Sequence, residues 1–170
     1  HWWWQAGQFA LERGQVAAAT VYLDRAIALD ANAATPILAW RGFCDLIGER
    51  AEVAEAWFEK AVARAPTDPL ALLGRGLARL ERGDGPGADK DFAAAGGSPS
   101  GIPPFIALQV HLRRGELRIR QRHVTQALLD FEQAVSLSPD SAGAHYGRGR
   151  ALFELGRALG AFQREIRALD

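Results

Sequence analysis

The sequence lacks several features that would point directly to a function. Its single cysteine, Cys44, excludes an internal disulfide framework and a metal site built from several cysteines, and its apolar neighbours favour a small core residue. No apolar run approaches the roughly eighteen residues needed to cross a bilayer, so no transmembrane segment is predicted. Twenty basic and twenty acidic residues balance, which argues against a general nucleic-acid or membrane-surface protein.

Motifs that carry chemistry are also missing. Residues 74–76 and 147–149 both read Gly-Arg-Gly, but they lack the third glycine and the preceding strand of a dinucleotide-binding loop. Three histidines fall on different predicted helices without a partner at metal-ligand spacing, and we interpret them as helix-surface or turn residues: His111, His123 and His145. We therefore predict no catalytic site, no metal and no cofactor.

Methionine is absent, and the sequence opens on His1 and three tryptophans, in what the pattern predicts is a helix already under way. We therefore expect the natural protein to start upstream of this point.

What the sequence does contain is a repeat. A glycine followed twelve residues later by an alanine recurs five times, at Gly7–Ala19, Gly42–Ala54, Gly76–Ala88, Gly115–Ala127 and Gly149–Ala161. Successive glycines are 35, 34, 39 and 34 residues apart. A period in this range is typical of a solenoid, in which each repeat packs on its neighbours.

Apolar residues within each unit are spaced as on helices, and no stretch alternates as a strand would. In the second unit the pattern predicts helices over 36–47 and 53–65, with Pro66 ending the second. Asp68 and Pro69 then predict an N-cap and the first turn of the next helix. A glycine inside a helix costs about 1 kcal/mol relative to alanine. Its recurrence at one register therefore predicts that the two helices of a unit cross closely.

These residues resemble the tetratricopeptide repeat over nearly the whole chain, in a bacterial form of the motif. In the second unit the family pattern is matched by Leu38, Gly42, Ala54, Phe58, Ala61 and Pro66. The resemblance implies an all-α, superhelical solenoid of about five tandem helix-turn-helix repeats. Within a single domain, 1–170, the repeats are expected at approximately 1–33, 35–68, 69–100, 105–140 and 141–170.

The pattern breaks between the third and fourth repeats. A tract rich in glycine, proline and serine occupies 96–104, and a Gly-Pro-Gly sequence at 85–87 marks the inner turn of the third repeat. The second helix of that repeat is therefore predicted to be short, over 88–95. We interpret the tract as a tolerated loop insertion. A hinge between repeats, or a loop that contacts a partner, are the alternatives.

The resemblance also implies a partner-binding groove, lined by three positions of each first helix. In this sequence they are Trp4, Gln8, Leu11, Ala39, Phe43, Leu46, Leu73, Leu77, Leu80, Leu112, Glu116, Ile119, Tyr146, Arg150 and Phe153. The lysine and asparagine with which family members grip the C-terminal carboxylates of heat-shock chaperones are missing from these positions. A mostly apolar groove suits an amphipathic helix or a hydrophobic peptide. Alternatively, a neighbouring or terminal helix of the full protein fills it.

Arginines are concentrated on the first helix of the fourth repeat, at Arg113, Arg114, Arg118, Arg120 and Arg122. Glu116 is the one acidic residue among them. An ordinary solvated face is one interpretation of this cluster. The other is a local anion site, which would take an acidic peptide or a lipid headgroup.

Together these patterns favour a protein–protein interaction scaffold that is not an enzyme. The expected partner is another protein, bound as a peptide or an amphipathic helix, and no nucleic acid is expected. One alternative is the accessory arm of a larger enzyme, such as a glycosyltransferase, and another is a module that associates with itself. The bacterial cytoplasm and the periplasm both stay open as locations.

Overall fold

The computed structural model describes residues 2–30, 34–96 and 103–167, and within these ranges the chain forms α-helices and no strand. The helices are α1 (Trp2–Glu12), α2 (Val16–Leu29), α3 (Thr35–Ile47), α4 (Ala51–Arg64), α5 (Pro69–Glu81), α6 (Gly85–Ala94), α7 (Pro104–Arg120), α8 (Val124–Leu137) and α9 (Ala142–Arg167). The predicted all-α fold class is confirmed. No helix in the described ranges is both long enough and apolar enough to span a bilayer.

The chain divides into two compact units, an N-terminal unit of His1–Pro103 and a C-terminal unit of Pro104–Asp170. The N-terminal unit contains the helical pairs α1–α2, α3–α4 and α5–α6, and the C-terminal unit contains α7–α9. In both units each helix of a pair packs along its partner. The number of domains and the repeat limits stay predictions.

Helix ends lie where short-range signals predict them. Helix α3 begins one residue before the predicted Pro36, and α4 ends at Arg64, two residues before Pro66. The Asp68 carboxylate accepts a hydrogen bond from the Ala71 backbone N–H at 2.8 Å, which confirms the predicted N-cap of α5.

Helix α6 begins three residues earlier than predicted. Residues 85–87 form its first turn rather than the loop before it. The Asp84 side chain caps this turn by accepting from the Gly87 N–H at 2.9 Å, and Pro86 occupies an early position that needs no N–H partner. An aspartate cap followed by proline therefore outweighs the low helix propensity of two glycines.

The last repeat also differs from its prediction. A helix-turn-helix was expected over 141–170, whereas α9 continues as one helix from Ala142 to Arg167 and passes through Gly156 without a turn. Most of the predicted insertion at 96–104 lies outside the described residues, and so do its hinge and loop interpretations.

Glycines let the helices approach a buried phenylalanine from two sides. A Cβ added to Gly42 would lie 2.8 Å from the Phe58 ring, which confirms the predicted close crossing within the repeat. A Cβ on Gly74, in the next repeat, would lie only 2.1 Å from the same ring. Phe58 is therefore held between a glycine of its own repeat and a glycine of the following one.

The C-terminal unit repeats this arrangement around Phe131. Added Cβ atoms on Gly115 and Gly147 would lie 2.8 Å and 2.2 Å from the Phe131 ring. The first glycine of each Gly-Arg-Gly sequence, Gly74 or Gly147, is thus a packing residue for the preceding repeat, a role that the sequence analysis missed.

Replacing Gly76 with leucine should lower the free energy of unfolding by about 1–3 kcal/mol, although leucine is the better helix former. A Cβ there would lie 2.7 Å from Cε1 of the buried Phe92. The midpoint of urea denaturation measures this effect. A midpoint that stays the same or rises would show that the crossing of α5 and α6 can widen without cost.

Arginines of the first helix also grip an aspartate of the second. In the third repeat Arg75 donates from Nε and Nη2 to the two oxygens of Asp91, at 2.9 and 2.6 Å, and Arg79 Nη1 donates to the same carboxylate at 2.9 Å. In the fourth repeat Arg114 and Arg118 each reach Asp130 at 2.7 Å. Both aspartates are buried. The arginine pair therefore supplies the hydrogen bonds that a buried carboxylate requires.

In the second repeat, an aspartate stands where the third repeat has its second arginine. Asp45 stands 34 residues before Arg79 and is buried, where it pairs with Arg41 and Arg50. Trp57 stands 34 residues before Asp91, and the Arg41 guanidinium lies 5.5 Å from the centre of its ring. In the second, third and fourth repeats, an arginine at this register thus has a carboxylate or an aromatic partner.

Candidate functional site

In the N-terminal unit, most of the predicted groove residues are not accessible. Six of the nine are buried, namely Leu11, Ala39, Phe43, Leu73, Leu77 and Leu80. Trp4, Gln8 and Leu46 are half-buried. Phe43 shows the reason, since its ring packs edge-on against Phe58 with centroids 4.9 Å apart. Helix α3 packs against both α4 and α5, so the residues on this face fill the space between repeats.

Phe43 and Leu77 were expected to contact a partner, but only 3% and 4% of their surfaces are exposed. The structure corrects this expectation, because a partner cannot reach these side chains without opening the core. A polar substitution at either position would test packing rather than binding.

The C-terminal unit keeps its predicted positions accessible. Leu112, Glu116 and Ile119 of α7 are half-buried. On α9, Tyr146 and Phe153 are 69% and 66% exposed, and Arg150 between them is exposed as well. Large aromatic side chains left exposed on a packed helical scaffold are candidates for partner contacts.

Phe153 borders a hollow of about 820 Å³ at the surface of this unit. Its lining residues are Arg122, Val124, Phe153, Glu154, Gly156, Arg157, Ala158 and Gly160. Glu154 faces both arginines, 3.8 Å from Arg122 and 3.3 Å from Arg157. Neither Arg157 nor the hollow was predicted from the sequence. The signal was available, because Arg150 and Arg157 each follow an aromatic residue by four positions, one helical turn.

The predicted arginine cluster separates into two groups. Arg114 is buried, and the anion that it and Arg118 bind is the chain's own Asp130. These two residues are therefore part of the core network rather than of an open anion site. Arg113 pairs with the neighbouring Glu116 at 3.5 Å, while Arg120 and Arg122 are exposed.

His111 was expected to be a helix-surface or turn residue, and this expectation is wrong. It is buried, and its Nδ1 lies 3.1 Å from Oδ1 of Asp130. Burial on its own would raise the pKa of Asp130. Hydrogen bonds from His111 and Arg114, together with the charges of Arg114 and Arg118, outweigh burial, so this pKa lies below its ordinary value.

The depressed pKa of Asp130 predicts acid sensitivity. Unfolding returns the carboxyl to its ordinary pKa of about 3.9, so its ionised form stabilises the fold fully above about pH 5 and progressively less below. Urea midpoints measured between pH 7 and pH 3 should therefore fall less steeply for Asp130→Asn than for the wild type. Parallel profiles would show that other carboxylates carry the acid response.

The remaining candidates for chemistry are structural. Cys44 is a free thiol that is completely buried, as expected for a core residue, and burial raises its pKa. His145 is exposed, with Nε2 2.7 Å from the Pro139 carbonyl oxygen, and His123 is the exposed residue before α8. In the part of the chain that the structure describes, no three His, Cys, Asp or Glu side chains are placed to hold a metal.

Several solved structures have a similar fold. Pseudomonas aeruginosa PilF matches the structure with a TM-score of 0.68 at 20% identity, over 95% of this chain and 71% of that one. MamA of AMB-1 matches at 0.61 and 17%, over 98% and 88%. The Arabidopsis OM64 TPR domain matches at 0.54 and 21%, over 69% and 93%. At these identities the likeness shows the fold alone. No curated protein matches the sequence significantly.

A tetratricopeptide repeat fold supports a role as a protein–protein interaction scaffold, because stacked repeats create extended binding surfaces. The sequence profile of the tetratricopeptide repeat matches residues 47–101 and 112–170, which is more than half of the sequence. This chain therefore belongs to the tetratricopeptide repeat family.

Proposed function

We propose that this chain is a non-catalytic protein–protein interaction scaffold, which binds a peptide or a helix of another protein. The observation that carries the proposal is the exposure of Tyr146 and Phe153 on α9. Phe131 of the same unit is by contrast buried between two glycines. Aromatic residues that stay exposed beside such packing supply contact area without a large cost in side-chain entropy.

Among the groove positions predicted from the sequence, those of the C-terminal unit are better candidates than those of the N-terminal unit. Phe43 and Leu77 already have packing partners, whereas Tyr146 and Phe153 leave most of their surface to solvent. A partner that covers the latter two gains apolar burial that folding has left unused.

The test is recovery of a partner by the full chain from cells of its source organism. Wild type should retain one protein at a fixed stoichiometry, and the double variant Tyr146→Ser/Phe153→Ser should lose it. Phe9→Ser is the matched control, because Phe9 is 58% exposed on α1 and lies in the other unit.

Circular dichroism should first establish that each variant keeps its helices. Equal retention by the wild type and the double variant would place the interface elsewhere on the chain. Turnover of a substrate by the purified chain would contradict the non-catalytic part of the proposal.

A further inference from the structure

Four side chains form a regular stripe along one face of α9. Tyr146, Arg150, Phe153 and Arg157 follow one another at steps of four, three and four residues, so they project in nearly the same direction. A different face of the helix, with Ala144, Gly147 and Ala151, is buried. We call the four residues the Tyr–Arg stripe.

A guanidinium group lies close to each aromatic ring of the stripe. The Arg150 Cζ lies 5.8 Å from the centre of the Tyr146 ring, and the Arg157 Cζ lies 6.0 Å from the centre of the Phe153 ring. Both distances are within the range of a cation–π contact. The contact orients the charge next to an exposed apolar surface, so a ligand that covers the ring also meets the arginine.

The hollow beside the stripe is also lined by positively charged side chains. Arg122 and Arg157 line it, and Glu154 is the carboxylate that faces both of them. Arg150 lies one turn before Glu154 on α9, so arginines outnumber the carboxylate among the residues of the stripe and the hollow. A ligand complementary to it carries negative charge as well as apolar side chains.

The spacing of the arginines indicates the form of that ligand. Arg150 and Arg157 are seven residues apart, or about 10.5 Å along the helix axis at 1.5 Å per residue. A second helix that lies along α9 and carries carboxylates seven residues apart would place one opposite each arginine. Apolar residues between its carboxylates would cover Tyr146 and Phe153.

We propose that the Tyr–Arg stripe and the adjoining hollow bind an acidic amphipathic helix of a partner protein. This inference rests on the proposed scaffold function, and it adds the chemistry of the partner. The arginines select the sign of the charge, and the aromatic rings supply the apolar contact.

The experiment titrates the full chain against a fluorescein-labelled peptide of about 20 residues, long enough to form a helix. Leucines occupy one face of this probe and glutamates flank them; a second probe replaces every glutamate with lysine. Fluorescence anisotropy should show binding of the glutamate probe and little binding of the lysine probe. Added salt should weaken the complex.

Charge-reversal variants locate the site. Arg150→Glu/Arg157→Glu should weaken binding of the glutamate probe by about tenfold or more, and it should gain binding of the lysine probe. The matched control is Phe9→Ser/Arg13→Glu, because Arg13 lies 4.7 Å from the centre of the exposed Phe9 ring in the other unit. This control should bind the glutamate probe like the wild type.

Three results would overturn the inference: equal binding of both probes, glutamate-probe binding that is unchanged in the charge-reversal variant, or no binding of the glutamate probe. Wild-type capture of a cellular partner in the same preparation would then leave the scaffold proposal standing. Vesicles of phosphatidylcholine and phosphatidylserine are a further arm. Binding to these vesicles that needs the same arginines, without binding of the peptide, would assign the surface to a membrane.

Discussion

Replacing Asp130 with alanine is expected to lower the free energy of unfolding by about 3–5 kcal/mol. The carboxylate is 2% exposed, and it accepts hydrogen bonds from both Arg114 and Arg118. Without it the buried Arg114 guanidinium keeps its charge and loses its partner. The cost comes mainly from this isolated charge, because a buried cation without a counter-ion has lost the hydration that it has in the unfolded chain.

Two further variants separate this explanation from a general loss of packing. Asp130→Leu/Arg114→Met removes both charges, and it should recover much of the stability lost by Asp130→Ala, because an apolar pair of similar volume can replace a buried ion pair. Glu154→Ala deletes a carboxylate that pairs with the exposed Arg122 and Arg157, and it should cost at most about 1 kcal/mol. Urea denaturation of all three variants gives the comparison. Equal losses for Asp130→Ala and Glu154→Ala would rule out a special role for the buried pair.

Two glycines of the same helix should respond to alanine in opposite directions. A Cβ on Gly147 would lie 2.2 Å from Cε1 of the buried Phe131, so Gly147→Ala should lower the free energy of unfolding by about 2–3 kcal/mol through overpacking. A Cβ on Gly149 would meet no atom within 4 Å, so Gly149→Ala should raise it by up to about 1 kcal/mol, the difference in helix propensity.

The two variants add the same methyl group at positions two residues apart in α9. The expected difference of about 2–4 kcal/mol between their free energies of unfolding therefore isolates the contact with Phe131. Thermal or urea denaturation is sufficient to measure it. If both alanines stabilise the protein, the Phe131 ring has room to move away, and the double-glycine arrangement would have no packing role.

The repeat and the helix ends were predictable because they depend on residues near one another in sequence. A cap such as Asp68 accepts a hydrogen bond from a backbone N–H three residues later, and a proline such as Pro66 ends the helix just before it. The error at α6 has the same origin, since the effect of Asp84 as a cap outweighs the propensity of the glycines that follow.

The charge network was not predicted, because its partners stand far apart in sequence. Arg75 and Asp91 are sixteen residues apart, and they meet only when α5 and α6 pack side by side. A signal was nevertheless present, because Arg75 precedes Gly76 and Asp91 precedes Phe92, and this glycine and phenylalanine pack on each other.

The candidate site was predicted in part. The family register selects Phe43 and Phe153 alike, but exposure depends on whether another helix covers that position. Phe43 is enclosed by neighbours such as Phe58, whereas Phe153 borders an open hollow. Register alone cannot distinguish these environments, since both residues lie at groove positions of their first helices, about one turn apart in register.

The position of Phe58 between Gly42 and Gly74 bears on how such a chain can grow by gene duplication. Each copied repeat would bring a phenylalanine that needs a glycine from the next copy, and a glycine that fits the phenylalanine of the copy before it. Two tandem copies would therefore pack against each other as soon as the duplication occurred, without further substitutions at their junction. The same reciprocity would make an end repeat, which has a neighbour on one side only, the place where the sequence can change most freely.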